Sequence, residues 1–428
     1  MAGTSSAVLT TTTQDEPAER RMFQLTDLET NHNKFYMVEI WPVQGDTVRF
    51  RALWGRVGSK AQVQEKVVPR HEVERQIREK LRKGYRKVDL HTPVIERIED
   101  PEDAQANGKP AVRVDPRVAE LVEWIFTEAG EHIQSFLAVE VEALSQAQMA
   151  EGRRLLSEAH KQFSRYQVNP LRKAANLKAF AETVQAYYNT IPTKLPARLD
   201  RGEVVEQFAK SFSEQEDRLL QLEAAIATMK VQRRNPGSSH YESLGAEIAP
   251  LSPDDPAHKT VSDYLSRTLV HGYKVRLRDV FEVRIPEERQ AYEEHTSEAT
   301  RRELFFHGSR NQNVRHILRQ GLICPSTPSN GRMLGNGIYL ANMASKSINY
   351  CQAGRRGVPR MLLVVEAALG NTYVAPQAAA FNAPPVGYDS VCGKAGHTRT
   401  WGTSTLAYDE FVVYSRAQQT IRYLVTIE

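Results

Sequence analysis

The apolar periodicity changes twice along the 428 residues, and no single layer architecture accommodates all three patterns. Residues 33–56 alternate in strand fashion, with Phe35, Met37 or Val38, and Ile40 before a Gln44-Gly45-Asp46 turn, then Val48, Phe50 and Leu53. A hairpin is expected there, followed by a helix over 71–82 with Val73, Ile77 and Leu81 on one side. From Asp115, which can cap a helix that has Pro116 at its first position, the spacing becomes helical through Val118, Leu121, Val122 and Ile125. Further helices are expected near 145–165, 170–189 and 203–232, with Leu177, Phe180, Val184 and Tyr187 forming a bundle stripe. Beyond Tyr241 the text turns mixed, with β-rich runs at 274–285, 361–367, 410–414 and 421–427 among Gly and Pro loops.

These textures give a multi-domain α+β chain, consistent with a length too great for one ordinary core. The expected division is a disordered tail over 1–20, a small sheet-plus-helix domain over 21–95, and an acidic, Gly/Pro-punctuated linker over 96–113. An all-α bundle follows over 114–236, then an α+β domain over 237–428. A net charge of +4 does not by itself argue for nucleic acid. Locally, however, residues 60–87 carry ten Lys/Arg against four Glu, the positive field a phosphate backbone needs. Cys324, Cys351 and Cys392 are far apart without metal-ligand spacing, so no metal and a reducing compartment are expected. Neither a membrane-spanning run nor a secretory signal is visible, so a soluble intracellular protein is expected. A monomer is the default expectation.

The densest chemistry lies in residues 305–351, FFHGSRNQNVRHILRQGLICPSTPSNGRMLGNGIYLANMASKSINYC. It contains a His-Gly-Ser opening, a loop ending in Gly-x-Gly-Ile-Tyr and a Ser-Lys-Ser-x-Asn-Tyr run. A Tyr-x-Glu-aromatic-Val-Val-Tyr strand follows downstream. In this order the four elements resemble the signature of poly(ADP-ribose) polymerases. The resemblance implies NAD⁺ as substrate, release of nicotinamide, and transfer of ADP-ribose to acceptor proteins, including the enzyme itself. His307, Tyr339 and Glu410 match the family's His-Tyr-Glu triad, with Glu410 bonding the nicotinamide ribose and polarising the acceptor, and Lys346 as an acceptor-positioning candidate. Gly308 and Ser347 would hold the carboxamide, Tyr339 and Tyr350 would sandwich the nicotinamide ring, and His307, Ser309, Arg310 and Asn313 would face the adenosine half. Glu at position 410 is implied to favour chain building. A mono-ADP-ribosyltransferase and a catalytically silent nucleic-acid-binding scaffold are the competing readings. Arg332 departs from the family pattern, which commonly has an aromatic there, and the loop 323–330 also differs.

Trp54-Gly55-Arg56-Val57-Gly58, preceded by Asn33-Lys34-Phe35-Tyr36, is similar to a WGR domain. That implies binding to DNA ends or breaks, with Trp54, Arg56 and Lys60 as contact candidates. The alternative is that Trp54 is a packed core residue and Arg56 an interdomain anchor, and that Glu72, Glu74 and Glu79 pair locally on a solvated helix. The helical stretch, with Tyr187-Tyr188-x-x-Ile191-Pro192, is similar to the family's regulatory helical domain, which blocks NAD⁺ until a DNA signal loosens it. A role in the DNA damage response is implied, in the nucleus of a eukaryote or the nucleoid of a bacterium.

Overall fold

The computed structural model describes residues 17–28, 32–57, 59–88, 114–168, 173–195, 201–234, 239–270, 272, 274–296, 301–327, 332–353, 356–396 and 406–428. The expected linker lies outside these residues, as do residues 1–16 of the expected tail. The first strand, however, begins at Glu19, inside that tail.

β1 (Glu19–Asp27), β2 (His32–Gln44), β3 (Thr47–Arg56), β4 (Gln62–Pro69) and β5 (Arg86–Val88) form an antiparallel sheet in the order β4-β3-β2-β1-β5. α1 (Arg70–Arg82) covers one face through Val73 and Ile77, whereas Leu81 is exposed. Register decides which hairpin residues are inside. Tyr36 pairs with Trp54, Val38 with Ala52 and Ile40 with Phe50, and Tyr36, Val38 and Ile40 are the β2 residues buried against this core. Phe35, Met37 and Leu53 therefore lie on the opposite, less buried face, because one residue of offset exchanges the faces of a strand. Glu39, which points to that outer side, is nonetheless buried between Arg20 and Arg51, each 2.7 Å away.

Five helices follow: α2 (Pro116–Phe136), α3 (Gln146–Val168), α4 (Lys173–Thr190), α5 (Arg201–Lys210) and α6 (Phe212–Arg234). Asp115 caps α2 by accepting from the Arg117 N–H. The single helix expected over 203–232 is broken at Ser211, whose amide and hydroxyl both turn back to the Phe208 carbonyl. Ser competes locally for backbone groups in this way, and without Gly or Pro the break carries no strong sequence signal. Leu177, placed on the bundle stripe, is exposed, while Phe180, Val184 and Tyr187 are buried. Phe208 is fully buried at the centre of the block, edge-on to Tyr187, Tyr188 and Phe212.

The remaining chain runs α7 (His240–Leu244), β6 (Glu247–Pro250), α8 (Pro256–Arg267), β7 (Leu277–Arg284), α9 (Pro286–His295), β8 (Arg302–Gly308), α10 (Asn311–Gln320) and β9 (Ile338–Leu340). α11 (Ala344–Ile348), β10 (Arg360–Ala368), β11 (Thr372–Val374), β12 (Ser390–Gly393), β13 (Glu410–Val413) and β14 (Gln419–Ile427) complete it. Two sheets result, ordered β6-β7-β14-β10-β8 and β11-β12-β13-β9. The Phe306–Ala341 bridge stitches their facing edges together. Val118, Leu121, Val122 and Ile125 of α2 belong to the same apolar core as this sheet pair, whereas Ile133 and Phe136 belong to the helical core. α2 thus anchors the helical block to the α+β unit.

Replacing Phe208 with Ala should cost about 3–5 kcal/mol through the cavity it leaves. Urea unfolding followed by circular dichroism measures this, and a loss below about 1 kcal/mol would contradict the central position of that ring.

Candidate active site

The two sheet edges and one short helix bring together residues that are remote in the chain. β8 ends in His307-Gly308, β9 carries Tyr339, α11 carries Lys346 and Ser347, and β13 begins at Glu410. All of them, with Ser309, Arg310, Asn313 and Tyr350, line one cleft of about 590 Å³. The approach of β8 to α11 requires the glycine: a Cβ on Gly308 would lie 1.8 Å from the Ser347 carbonyl oxygen. Ser347 also donates its hydroxyl to the Phe306 carbonyl at 3.1 Å, fixing α11 against β8.

His307 Nδ1 lies 2.9 Å from the Tyr339 carbonyl. A carbonyl only accepts, so Nδ1 carries the proton and Nε2 of the neutral ring is left as an acceptor. Burial lowers the pKa of His307 and keeps it neutral. The Tyr339 hydroxyl accepts from the Leu334 N–H at 2.9 Å and donates to the Gly335 carbonyl at 3.0 Å, so its ring orientation is fixed from behind. Gly335 itself sits at φ 83°, a conformation that disfavours any side chain. Tyr350 is exposed at the rim, and burial followed by the Glu410 charge raises its pKa.

Glu410 is 8% exposed and paired through Oε1 with the Lys346 ammonium. Its Oε2 is buried and has no hydrogen-bond partner among the described residues. A carboxylate half satisfied in a cleft is costly unless an incoming hydroxyl completes it.

α6 closes one side of this cleft with residues that the sequence reading did not single out. Asn313 donates to Asp217 at 3.3 Å and to the Ser309 hydroxyl at 3.1 Å, and accepts from Gln221 at 2.6 Å. The Glu216 carboxylate takes the Ser326 amide at 2.7 Å and hydroxyl at 2.6 Å, and the Thr327 hydroxyl at 2.8 Å. Arg332 donates to the Thr327 carbonyl at 2.7 Å and to the Ser213 hydroxyl at 3.2 Å. The departure at position 332 is therefore used to tie the loop to α6. The available signal was the polar series Ser213, Asp217 and Gln221, spaced by four along one face of the helix.

Trp54, Arg56 and Lys60 lie at the end of β3 and in the loop beyond it. Trp54 packs partly against the core of its own sheet, and Lys60 is exposed. On α1, Arg75 pairs with Glu72 and Lys83 with Glu79, while Glu74 pairs with Arg21. Local pairing thus offsets part of the positive field of that helix. No cluster of potential metal ligands and no helix long and apolar enough to cross a membrane occur among the described residues.

Residues 257–428 match the poly(ADP-ribose) polymerase catalytic domain, and residues 19–91 match the WGR domain. The chain is 27% identical to poly(ADP-ribose) polymerase 2 of Homo sapiens over 95% of its length and 79% of the relative's. It is 29% identical to poly(ADP-ribose) polymerase 1 of Gallus gallus over 56% of this chain, and 24% identical to poly(ADP-ribose) polymerase 1 of Arabidopsis thaliana over 94%. Those alignments span 27% and 46% of the relatives' own lengths. The fold and its cleft are those of an NAD⁺-dependent ADP-ribosyltransferase. The chain thus combines a segment similar to the WGR domain with one similar to the poly(ADP-ribose) polymerase catalytic domain.

Burial raises the Asp217 carboxyl from 3.8 to about 6, opposed by its bond from Asn313. The folded chain therefore holds this proton more tightly than the unfolded one. The resulting stability is full below about pH 4 and lost as pH rises through about 6. Asp217→Asn should abolish that decline and raise Tm by a few degrees above about pH 7, measured by calorimetry across pH; an unchanged profile would contradict it.

Proposed function

We propose that this enzyme transfers ADP-ribose from NAD⁺ to protein side chains, including its own, and extends it into a polymer when DNA ends or breaks engage the WGR domain. The observation that carries this reading is the half-satisfied Glu410 carboxylate in the cleft shared with His307 and Tyr339. In this reading the nicotinamide ring lies between Tyr339 and Tyr350, and its carboxamide pairs with the Gly308 backbone and the Ser347 hydroxyl. Aromatic stacking of this kind contributes roughly 0.5–1.5 kcal/mol beyond area burial. His307 Nε2 accepts from a hydroxyl of the adenosine ribose, while Ser309, Arg310 and Asn313 face the adenosine half. Glu410 Oε2 accepts from the nicotinamide ribose. As the glycosidic bond breaks, positive charge develops on that ribose and the fixed carboxylate stabilises it. The same carboxylate then polarises the hydroxyl at the end of the growing chain. Lys346 holds Glu410 in place and lies where an acceptor would enter.

The helical block acts in this reading as a regulatory cover. Asp217 and Gln221 occupy Asn313, a group assigned to the adenosine half, so α6 and the dinucleotide compete for one side chain. The WGR sheet reaches the block through α4 and the turn after it. Thr26 N–H donates to Asn189 at 3.0 Å, Gln24 to the Tyr188 carbonyl at 3.2 Å and Asn33 to the Thr193 carbonyl at 3.2 Å. DNA held by Trp54, Arg56 and Lys60 would shift the population away from the covered state. Such an enzyme belongs where DNA is, in a nucleus or a bacterial nucleoid, with a role in responding to DNA damage.

Labelled NAD⁺ should give long, heterogeneous products only when broken DNA is present. Single discrete bands would instead indicate mono-transfer, and absence of nicotinamide release a silent scaffold. Glu410→Gln should lower elongation by about 10² to 10³ and NAD⁺ hydrolysis by less. Equal loss of both would contradict the role given to Glu410.

A further inference from the structure

His316 is a polar side chain in the cleft that no step above uses. It lies one helical turn after Asn313 on α10 and lines the same cleft as His307 and Arg310. It is 5% exposed, and its Nδ1 has no hydrogen-bond partner among the described residues. Most of the same helix has an evident structural use: Val314, Ile317 and Leu318 enter the core, and Arg315 stacks on Phe126 at 4.4 Å. Burial lowers the His316 pKa to about 3, so the ring is neutral near pH 7 and presents one donor and one acceptor nitrogen. Ile317, Leu322 and Leu220, which line the cleft beside it, supply apolar surface.

A cleft with some apolar lining and one unpaired, neutral ring nitrogen suits a flat heteroaromatic group that brings its own hydrogen-bond donor. A buried polar atom without a partner calls for an explanation, and where it lines a cleft a ligand can supply the missing bond. Under the function proposed above, nicotinamide lies at Tyr339 and Tyr350 and the adenosine half lies past Arg310 and Asn313. His316 follows Asn313 by one turn of α10 and lines the same cleft. We propose that His316 reads the edge of the adenine base, accepting a hydrogen bond from the 6-amino group, and so sets the preference for adenine over purines that lack this group. The inference rests on the NAD⁺ reading of the cleft and adds to it a residue that determines specificity. A site built around a hydrogen bond discriminates against an analogue lacking the partner, because its own polar atom is then left unpaired.

The test is steady-state nicotinamide release by the full chain with broken DNA. It compares NAD⁺ with the 6-deamino dinucleotide, in which hydrogen replaces the amino group. The unaltered enzyme should prefer NAD⁺ about tenfold, mostly through KM. His316→Leu should reduce that preference to within about twofold, chiefly by raising the KM for NAD⁺, and His316→Gln, which retains an acceptor, should preserve it. The proposal is overturned if the unaltered enzyme shows no preference, an outcome that requires no variant to fold. It is equally overturned if His316→Leu keeps the full ratio. Should nicotinamide release be absent altogether, the transferase reading fails. Calorimetric binding of the two dinucleotides would then decide the role of His316 by the same ratio.

Discussion

A short polar seam between α6 and the cleft is the interaction that sets how the helical block meets the site. Glu216, Asp217 and Gln221 reach both the loop at Ser326 and Thr327 and the side chain of Asn313. None of these bonds is individually strong, since a net hydrogen bond contributes about 0.5–1.5 kcal/mol, or about 1.5–3 to a charged group. Several acting together hold a helix in place, and opposing them all requires a ligand with comparable differential affinity. The seam is also a poor permanent interface. Burial pushes Asp217 up to about 6, so near neutral pH the contact carries a charge that its surroundings disfavour. A contact made from such groups is weaker near neutral pH than its number of bonds suggests.

Beneath the seam, the cleft is set by a steric condition. Only a residue without Cβ lets β8 pass the backbone of α11, and Gly308 is that residue. The approach puts His307 beside the Tyr339 carbonyl, and β9 aligns Tyr339 with Val412 two residues after Glu410. One close contact and one strand register therefore position the imidazole, the phenol and the carboxylate. The Lys346 pair completes this by restraining one carboxylate oxygen, while the other has no hydrogen-bond partner among the described residues.

The β2–β3 hairpin, strands β7, β10, β13 and β14 and the long helices α1 to α4 were legible in the sequence, because apolar stripes such as Phe180, Val184 and Tyr187 fix both period and face; the remaining strands, mostly short, were not. The candidate pocket was legible for a different reason: its residues occur in an ordered set of motifs, and the fold gathers all of them. The misread positions were those whose environment depends on tertiary register. Phe35 and Leu53 are apolar yet lie outside, because the offset of β2 against β3 is set by Val38, Ile40 and Phe50. The break at Ser211 was hidden because a serine that turns back to Phe208 looks like any other helical serine. Asp217 and His316 were hidden because a polar residue on a helix is ordinarily solvated, and only the cleft opposite makes each of them unusual.

Hydrogen exchange across residues 212–234, before and after saturation with an unreactive NAD⁺ analogue, tests most directly whether α6 and the dinucleotide exclude one another. The account predicts a marked loss of protection along α6 on binding, with the remaining helical core slower to exchange. Full occupancy of the cleft with α6 protection unchanged would contradict it.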